Sequence, residues 1–107
     1  MFRGEVYWVK FNIGGPGGAE SVRPAVIVSN DVSNITLNWV QVAPVTSNTE
    51  KIYPGESAFR LEDLQAKALC NQLRTVGKDS LGKKIGKLSS QDMADLDKAL
   101  KVQLDLK

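Results

Sequence analysis

From Gly4 to Phe11 the sequence GEVYWVKF alternates, with Val6, Trp8 and Lys10 on one side and Glu5, Tyr7 and Val9 on the other. A period of two predicts a half-buried first strand. The pattern stops at NIGGPGGAES, where four glycines and a proline exclude regular structure and predict a loop able to act as a lid or flap. Pro24 to Ser29, PAVIVS, is a nearly unbroken β-branched run bounded by Pro24 and Asn30-Asp31. It is too short for a helix and predicts a central buried strand, with the proline tolerated at the first position. A polar link leads to Trp39–Val45, WVQVAPV, a second such strand that Pro44 brings to an end near Thr46. After the loop SNTEKIYPGE, the stretch from Ser57 admits two readings: a short strand and turn, or a helical turn, before a strand from Ala68 to Val76.

The C-terminal third is clearer. Lys78 to Lys87 is basic and punctuated by glycine, with Leu81, Ile85 and Leu88 as apolar anchors. Ser89-Ser90-Gln91-Asp92 then reads as a helix start, Ser89 capping and Asp92 answering three residues on. Met93, Leu96, Leu100 and Leu104 fall on one face at helical spacing. The fold class expected is mainly β with a C-terminal helix, a compact sheet or small barrel sealed by that helix. At 107 residues there is material for one core, so residues 1–107 are expected to form a single domain.

Composition narrows the chemistry. With 24% charged residues and no apolar run near the ~20 residues that span a bilayer, no membrane segment is expected. Arg3 and Glu5 stand where a signal peptide is apolar, so the expected location is cytoplasmic. Cys70 is the only cysteine and there is no histidine, which rules out an internal disulfide and the usual zinc clusters and leaves Cys70 to core packing. No metal and no cofactor is expected. A formal charge of +2 permits a polyanionic partner without requiring one.

Three polar groups close apolar runs: Arg23 before PAVIVSND, Thr46 after VQVAPV, and Asn71-Gln72-Leu73-Arg74-Thr75 after KALC. Strand ends are where a small β domain gathers distant side chains, so these groups are expected to share a pocket. GGPGG lacks the Gly-Lys-Ser/Thr and helix start of a phosphate-cradling loop. Trp8 and Trp39 have faces on which bases stack, but both lie inside apolar strands and are expected in the core.

Taken in order, RGEVYWV, VRPAVIVSND, VAPVTS, LCNQLRTV and KIGKLSSQDMADLDKAL resemble the bacterial toxins of the MazF/PemK (Kid) family, over about Arg3 to Leu104. The resemblance implies an SH3-like small barrel of twisted antiparallel strands with a C-terminal helix, working as a homodimer. It implies a sequence-selective ribonuclease that cuts single-stranded RNA, generally mRNA, and is held inactive by a cognate, MazE-like antitoxin. Arg23 matches the family's catalytic arginine and Thr46 its catalytic threonine, while Ser47, Asn71, Gln72 and Arg74 fall in its RNA-binding segments. Many members carry an acidic residue at the position of Asn71 and a Glu-Gln pair where this chain has Gly18-Ala19, so Glu20 is the candidate replacement base. Two alternatives share the barrel: the gyrase poison CcdB, which cleaves nothing, and a plain SH3-like binding module. CcdB depends on a C-terminal Trp-Gly-Ile, whereas this chain ends Leu104-Asp105-Leu106-Lys107.

RNA suits a site without imidazole because its own 2′-hydroxyl is the nucleophile. The protein has only to align the groups, take that proton, neutralise the phosphorane and protonate the leaving 5′-oxygen. A guanidinium at Arg23 can give two parallel hydrogen bonds to phosphate oxygens, though a pKa above ~12 makes it a poor acid. The side-chain amides of Asn71 and Gln72 suit base edges that unpaired RNA leaves open. Arg74 suits either the RNA or a salt bridge within the fold.

Overall fold

The computed structural model describes residues 1–13 and 18–107. The GGPGG segment read as a flap lies largely outside these residues. Seven antiparallel strands appear in the order β1 (Glu5–Ile13), β2 (Ala19–Ile27), β3 (Trp39–Thr46), β4 (Glu56–Leu61), β5 (Leu64–Leu69), β6 (Arg74–Gly77) and β7 (Leu81–Lys87). Helix α1 (Asp31–Thr36) lies between β2 and β3, and α2 (Ser90–Leu104) ends the chain. Neighbouring strands run β4-β5-β3-β2-β1-β7, with β6 added beside β3. None of the described helices is long and apolar enough to cross a membrane.

The central strands are apolar on both faces, which is why PAVIVS reads as an unbroken run. One face, with Val6, Val26, Ala43 and Val45, packs on Phe59 and Ala66 of the β4–β5 hairpin and on Leu96 and Ala99 of α2. The other gathers Val9, Phe11, Ala25, Ile27, Val40 and Val42 into a second core. The path ends at β4 and β7, and the strongly coiled sheet brings these ends together through side chains rather than a ladder. A Cβ at Gly86 of β7 would lie 3.1 Å from Leu61 Cδ2 of β4, so the glycine makes room for that contact.

Helix α2 begins as the sequence predicts, with the Ser89 hydroxyl accepting from Asp92 N–H at 3.1 Å. Its buried face is shorter than the periodicity suggests. Leu96 and Ala99 are buried, Met93 and Leu100 partly so, and Leu104 is exposed. Arg3 ties the helix to the sheet through a 2.7 Å ion pair with Asp97 and a bond to the Val28 carbonyl.

Several expectations need correction. Strand β2 begins at Ala19 rather than Pro24, because the β1–β2 ladder continues out to Ile13↔Ala19. Pro24 therefore sits inside the strand, just beyond the last β2–β3 pair, where only one neighbour flanks it and a missing N–H is tolerated. The polar link contains α1, capped by Asn30, whose side chain accepts from Ser33 N–H. The ambiguous stretch is a β4–β5 hairpin turning at Glu62, which adopts φ 54°. Ala68–Val76 is not one strand, since a 3-10 turn at Cys70–Gln72 divides it. Trp8 and Trp39 are 43% and 47% exposed rather than buried. Cys70 is buried as expected, and desolvation pushes its thiol up to about 11.

Candidate active site

The site is made where two strands part. The β2–β3 ladder runs Ile27↔Val42, Val26↔Ala43, Ala25↔Pro44 and stops. Strand β3 then continues with β5 through Val45↔Ala68 and Thr46↔Lys67. Extending the β2–β3 register by two residues sets Arg23 opposite Thr46, at the open end of the second core's face. The alternating rows that are apolar deeper in the sheet finish there in a guanidinium and a hydroxyl.

Two clefts meet at this point. One, of about 450 Å³, is lined by Trp8, Arg23, Pro24, Val45, Thr46, Ser47, Leu64 and Ala66. The other, of about 230 Å³, is lined by Phe11, Ser21, Arg23, Pro44, Gln72 and Arg74. Arg23 belongs to both. Thr46 and Ser47 thus share a cleft with it on one side, and Gln72 and Arg74 on the other.

The chemistry available follows from the partners. Arg23 is exposed and takes part in none of the ion pairs found among the described residues. Its donors are therefore open to an anion. The Thr46 hydroxyl accepts from Asn48 N–H at 3.2 Å, which leaves its own proton to donate into the cleft. Arg74 forms no salt bridge among the described residues. Its guanidinium lies over the Phe11 ring, 5.6 Å from the centroid, with one nitrogen 3.4 Å from the Asn12 carbonyl.

Two candidates lie outside both clefts. Asn71 and Gln72 both lie in the 3-10 turn, but only Gln72 lines a cleft; the Asn71 amide reaches Glu56 Oε2 at 3.5 Å instead. Glu20 is exposed on β2, paired with Asn12, rather than in the loop where the glycine-rich sequence suggests it. Alternation turns it to the face opposite Arg23.

Behind Thr46 lies a buried ion pair that sequence reading missed. Lys67, the cross-strand partner of Thr46, meets Glu56 at 2.8 Å, donates to the Lys51 carbonyl at 2.7 Å and sits 5.7 Å above the centre of the Tyr53 ring. Glu56 also accepts from Tyr53 N–H at 3.0 Å. Burial pushes the Glu56 carboxyl up, but Lys67 and the Tyr53 N–H outweigh it and hold the acid below its ordinary range. One ammonium thus straps down the loop that leaves Thr46. Sequence reading also missed Trp8 and Leu64 as cleft residues. For Trp8 the available signal was Lys10, two residues on and on the same face, which marks that face as opening to solvent.

This twisted sheet with a C-terminal helix is the fold of a toxin class. Residues 2–104 match the family described as PemK-like, MazF-like toxin of type II toxin-antitoxin system, and the chain belongs to that family. It is 36% identical to endoribonuclease MazF9 of Mycobacterium tuberculosis, over 99% of this chain and 98% of that protein. It is 30% identical to endoribonuclease MazF of Staphylococcus saprophyticus, over 99% and 92% respectively. A mycobacterial endoribonuclease solved in complex with its cognate antitoxin superposes with a TM-score of 0.83 at 28% identity, covering 100% of this chain and 97% of that one. MazF of Deinococcus radiodurans shares the fold, with a TM-score of 0.81 at 19% identity over 99% of this chain and 97% of its own.

Proposed function

We propose that residues 1–107 act as the toxin of a type II toxin-antitoxin pair, an endoribonuclease that cuts single-stranded RNA, mRNA in the cytoplasm, at a short sequence. The observation that carries this reading is the shared cleft of Arg23 and Thr46. Membership of the MazF-like family favours it over the gyrase-poisoning alternative.

In the proposed reaction the 2′-oxygen bonds to phosphorus as the bond from phosphorus to the 5′-oxygen breaks. Arg23 neutralises the charge that builds on the non-bridging oxygens, and Thr46 donates a hydrogen bond to one of them. The 2′-proton leaves to an acceptor and the 5′-oxygen takes one up, giving a 2′,3′-cyclic phosphate, or its 3′-phosphate after water opens the ring, and a 5′-hydroxyl. The acceptor is either Glu20, three residues from Arg23 but outside both clefts, or water. An unchanged rate in Glu20→Gln assigns it to water. Ser47 and Gln72 bind RNA inside the clefts, Arg74 holds a phosphate, and Asn71 contacts RNA from the rim. No metal or cofactor enters this scheme.

The partners follow from the same surface. Two copies of the chain form a homodimer, and a MazE-like antitoxin lays an acidic and apolar segment over the cations of the clefts, excluding RNA. End-labelled single-stranded RNA incubated with the protein and EDTA tests the proposal. Fragments bearing 5′-hydroxyl ends are expected, and intact RNA or 5′-phosphate ends overturn it.

A further inference from the structure

Trp8 is 43% exposed, although its strand neighbours on the same face are Val6, fully buried in the first core, and Lys10. Its cross-strand partner is Pro24, the residue after Arg23. On one side its ring lines the cleft of Arg23 and Thr46, where Leu64, 48% exposed, is another apolar wall. On the other side it lines a separate cleft of about 230 Å³ with Lys10 and Val22. Val22 is itself 56% exposed. Each cleft beside the indole thus combines an exposed apolar wall with a cation, Arg23 or Lys10, that has no salt-bridge partner among the described residues. The one carboxylate in the second cleft, Asp79, is turned back toward Gly77, where an added Cβ would lie 2.6 Å from its Oδ1.

An unpaired nucleotide has the same two parts, a flat apolar base and an anion beside it. We propose that Trp8 is a base-stacking platform for single-stranded RNA, dividing two nucleotide subsites. In the first, a base next to the reacting phosphate packs between Trp8 and Leu64. In the second, the strand continues past the far edge of the indole with its next phosphate on Lys10. Stacking on an aromatic face tolerates every base, so Trp8 fixes where the strand lies rather than which sequence is cut. Base reading is left to the amide of Gln72 in the remaining cleft. This inference rests on the nuclease reading for the identity of its ligand, but it concerns binding and can fail separately.

The chain contains two tryptophans, so Trp39→Phe in the full-length protein leaves Trp8 as the sole indole emitter. That variant is titrated with a fluorescein-labelled, uncleavable 2′-O-methyl oligoribonucleotide for anisotropy, and with the unlabelled oligomer for indole emission. Saturable quenching of Trp8 is expected at the concentrations where anisotropy rises. Trp8→Leu is expected to bind about 10-fold more weakly, with Trp8→Phe retaining most of the affinity. Binding without any change in Trp8 emission, or equal affinity in Trp8→Leu, overturns the platform, as does failure of the oligomer to bind at all. If Trp8→Leu does not fold, the emission titration and Trp8→Phe decide the matter. A parent protein that binds and quenches but never cuts RNA overturns the nuclease reading and leaves the platform standing.

Discussion

Arg23 is exposed, has no salt-bridge partner among the described residues, and stands where an apolar row ends; these properties separate its contribution to activity from its contribution to folding. Arg23→Ala removes no core contact, so its effect on stability is expected within about 0.5 kcal/mol. Its effect on cleavage is expected to be at least about 100-fold, the scale of losing one preorganised donor to a developing anion. Arg23→Lys restores charge but not the planar pair of donors, and is expected to recover only a small part of the rate. Single-turnover cleavage beside urea unfolding of the same samples measures both, and parallel losses in rate and stability would count against a catalytic role. The shared cleft of Arg23 and Thr46 was legible in the sequence because each borders a run of alternating or β-branched residues, Arg23 before PAVIVSND and Thr46 after VQVAPV. Trp8 was not. Alternation tells which face a side chain joins but not whether another element covers that face, and α2 reaches only as far as Val6, Val26 and their neighbours.

At the scale of elements, the loop after Thr46 owes its position to Lys67 and Glu56. Lys67→Met leaves a carboxylate buried without its counter-ion and is expected to cost about 3–5 kcal/mol. Adding Glu56→Leu removes the stranded charge and is expected to return most of that loss. The loop would still lack the ammonium bond to the Lys51 carbonyl, so cleavage should remain impaired in the double variant; full recovery of the rate would show that the strap does not position Thr46. A second buried carboxylate, Glu5, holds β1 against β7 by its contact with Lys84. Burial pushes it up, but Lys84, Phe2 N–H and the Tyr7 hydroxyl bring it down to about 2 from 4.5. A depressed acid stabilises fully above its unfolded value, and this contribution disappears as pH falls from 4.5 to about 2. Urea unfolding across that window is expected to show stability falling with acid, and Glu5→Gln is expected to flatten the slope. Neither carboxylate announced itself in the sequence, since Glu5 and Lys84 are distant in the chain and the hairpin joining Glu56 to Lys67 had two readings. Helix α2 was legible because a capping serine, an answering aspartate and a leucine stripe agree. Helix α1 escaped because Val32 and Ile35 are exposed and leave no buried stripe to detect.

For the whole molecule, a coiled sheet gives two cores and a seam between them, and the cations stand at the mouth of that seam. Net charge is only +2, so long-range attraction to RNA is weak and binding must come from charges placed in the clefts. Arg23, Arg74 and Lys10 line the three clefts around Trp8 and Arg23. If each neutralises one phosphate of a single strand, the logarithm of the binding constant should fall with the logarithm of salt concentration at a slope of about −2. Arg74→Ala should then weaken binding and shallow that slope by about 0.7, because one fewer counterion is released. Gln72→Ala, in the same cleft but uncharged, should change affinity or sequence preference without changing the slope. Anisotropy titrations of an uncleavable oligoribonucleotide over a salt series measure all three proteins. A parent slope near zero would mean that the clefts bind bases but not the backbone, and the scissile phosphate could not then be held by Arg23. Agreement across the series would place phosphates in the clefts that Arg74, Arg23 and Lys10 line.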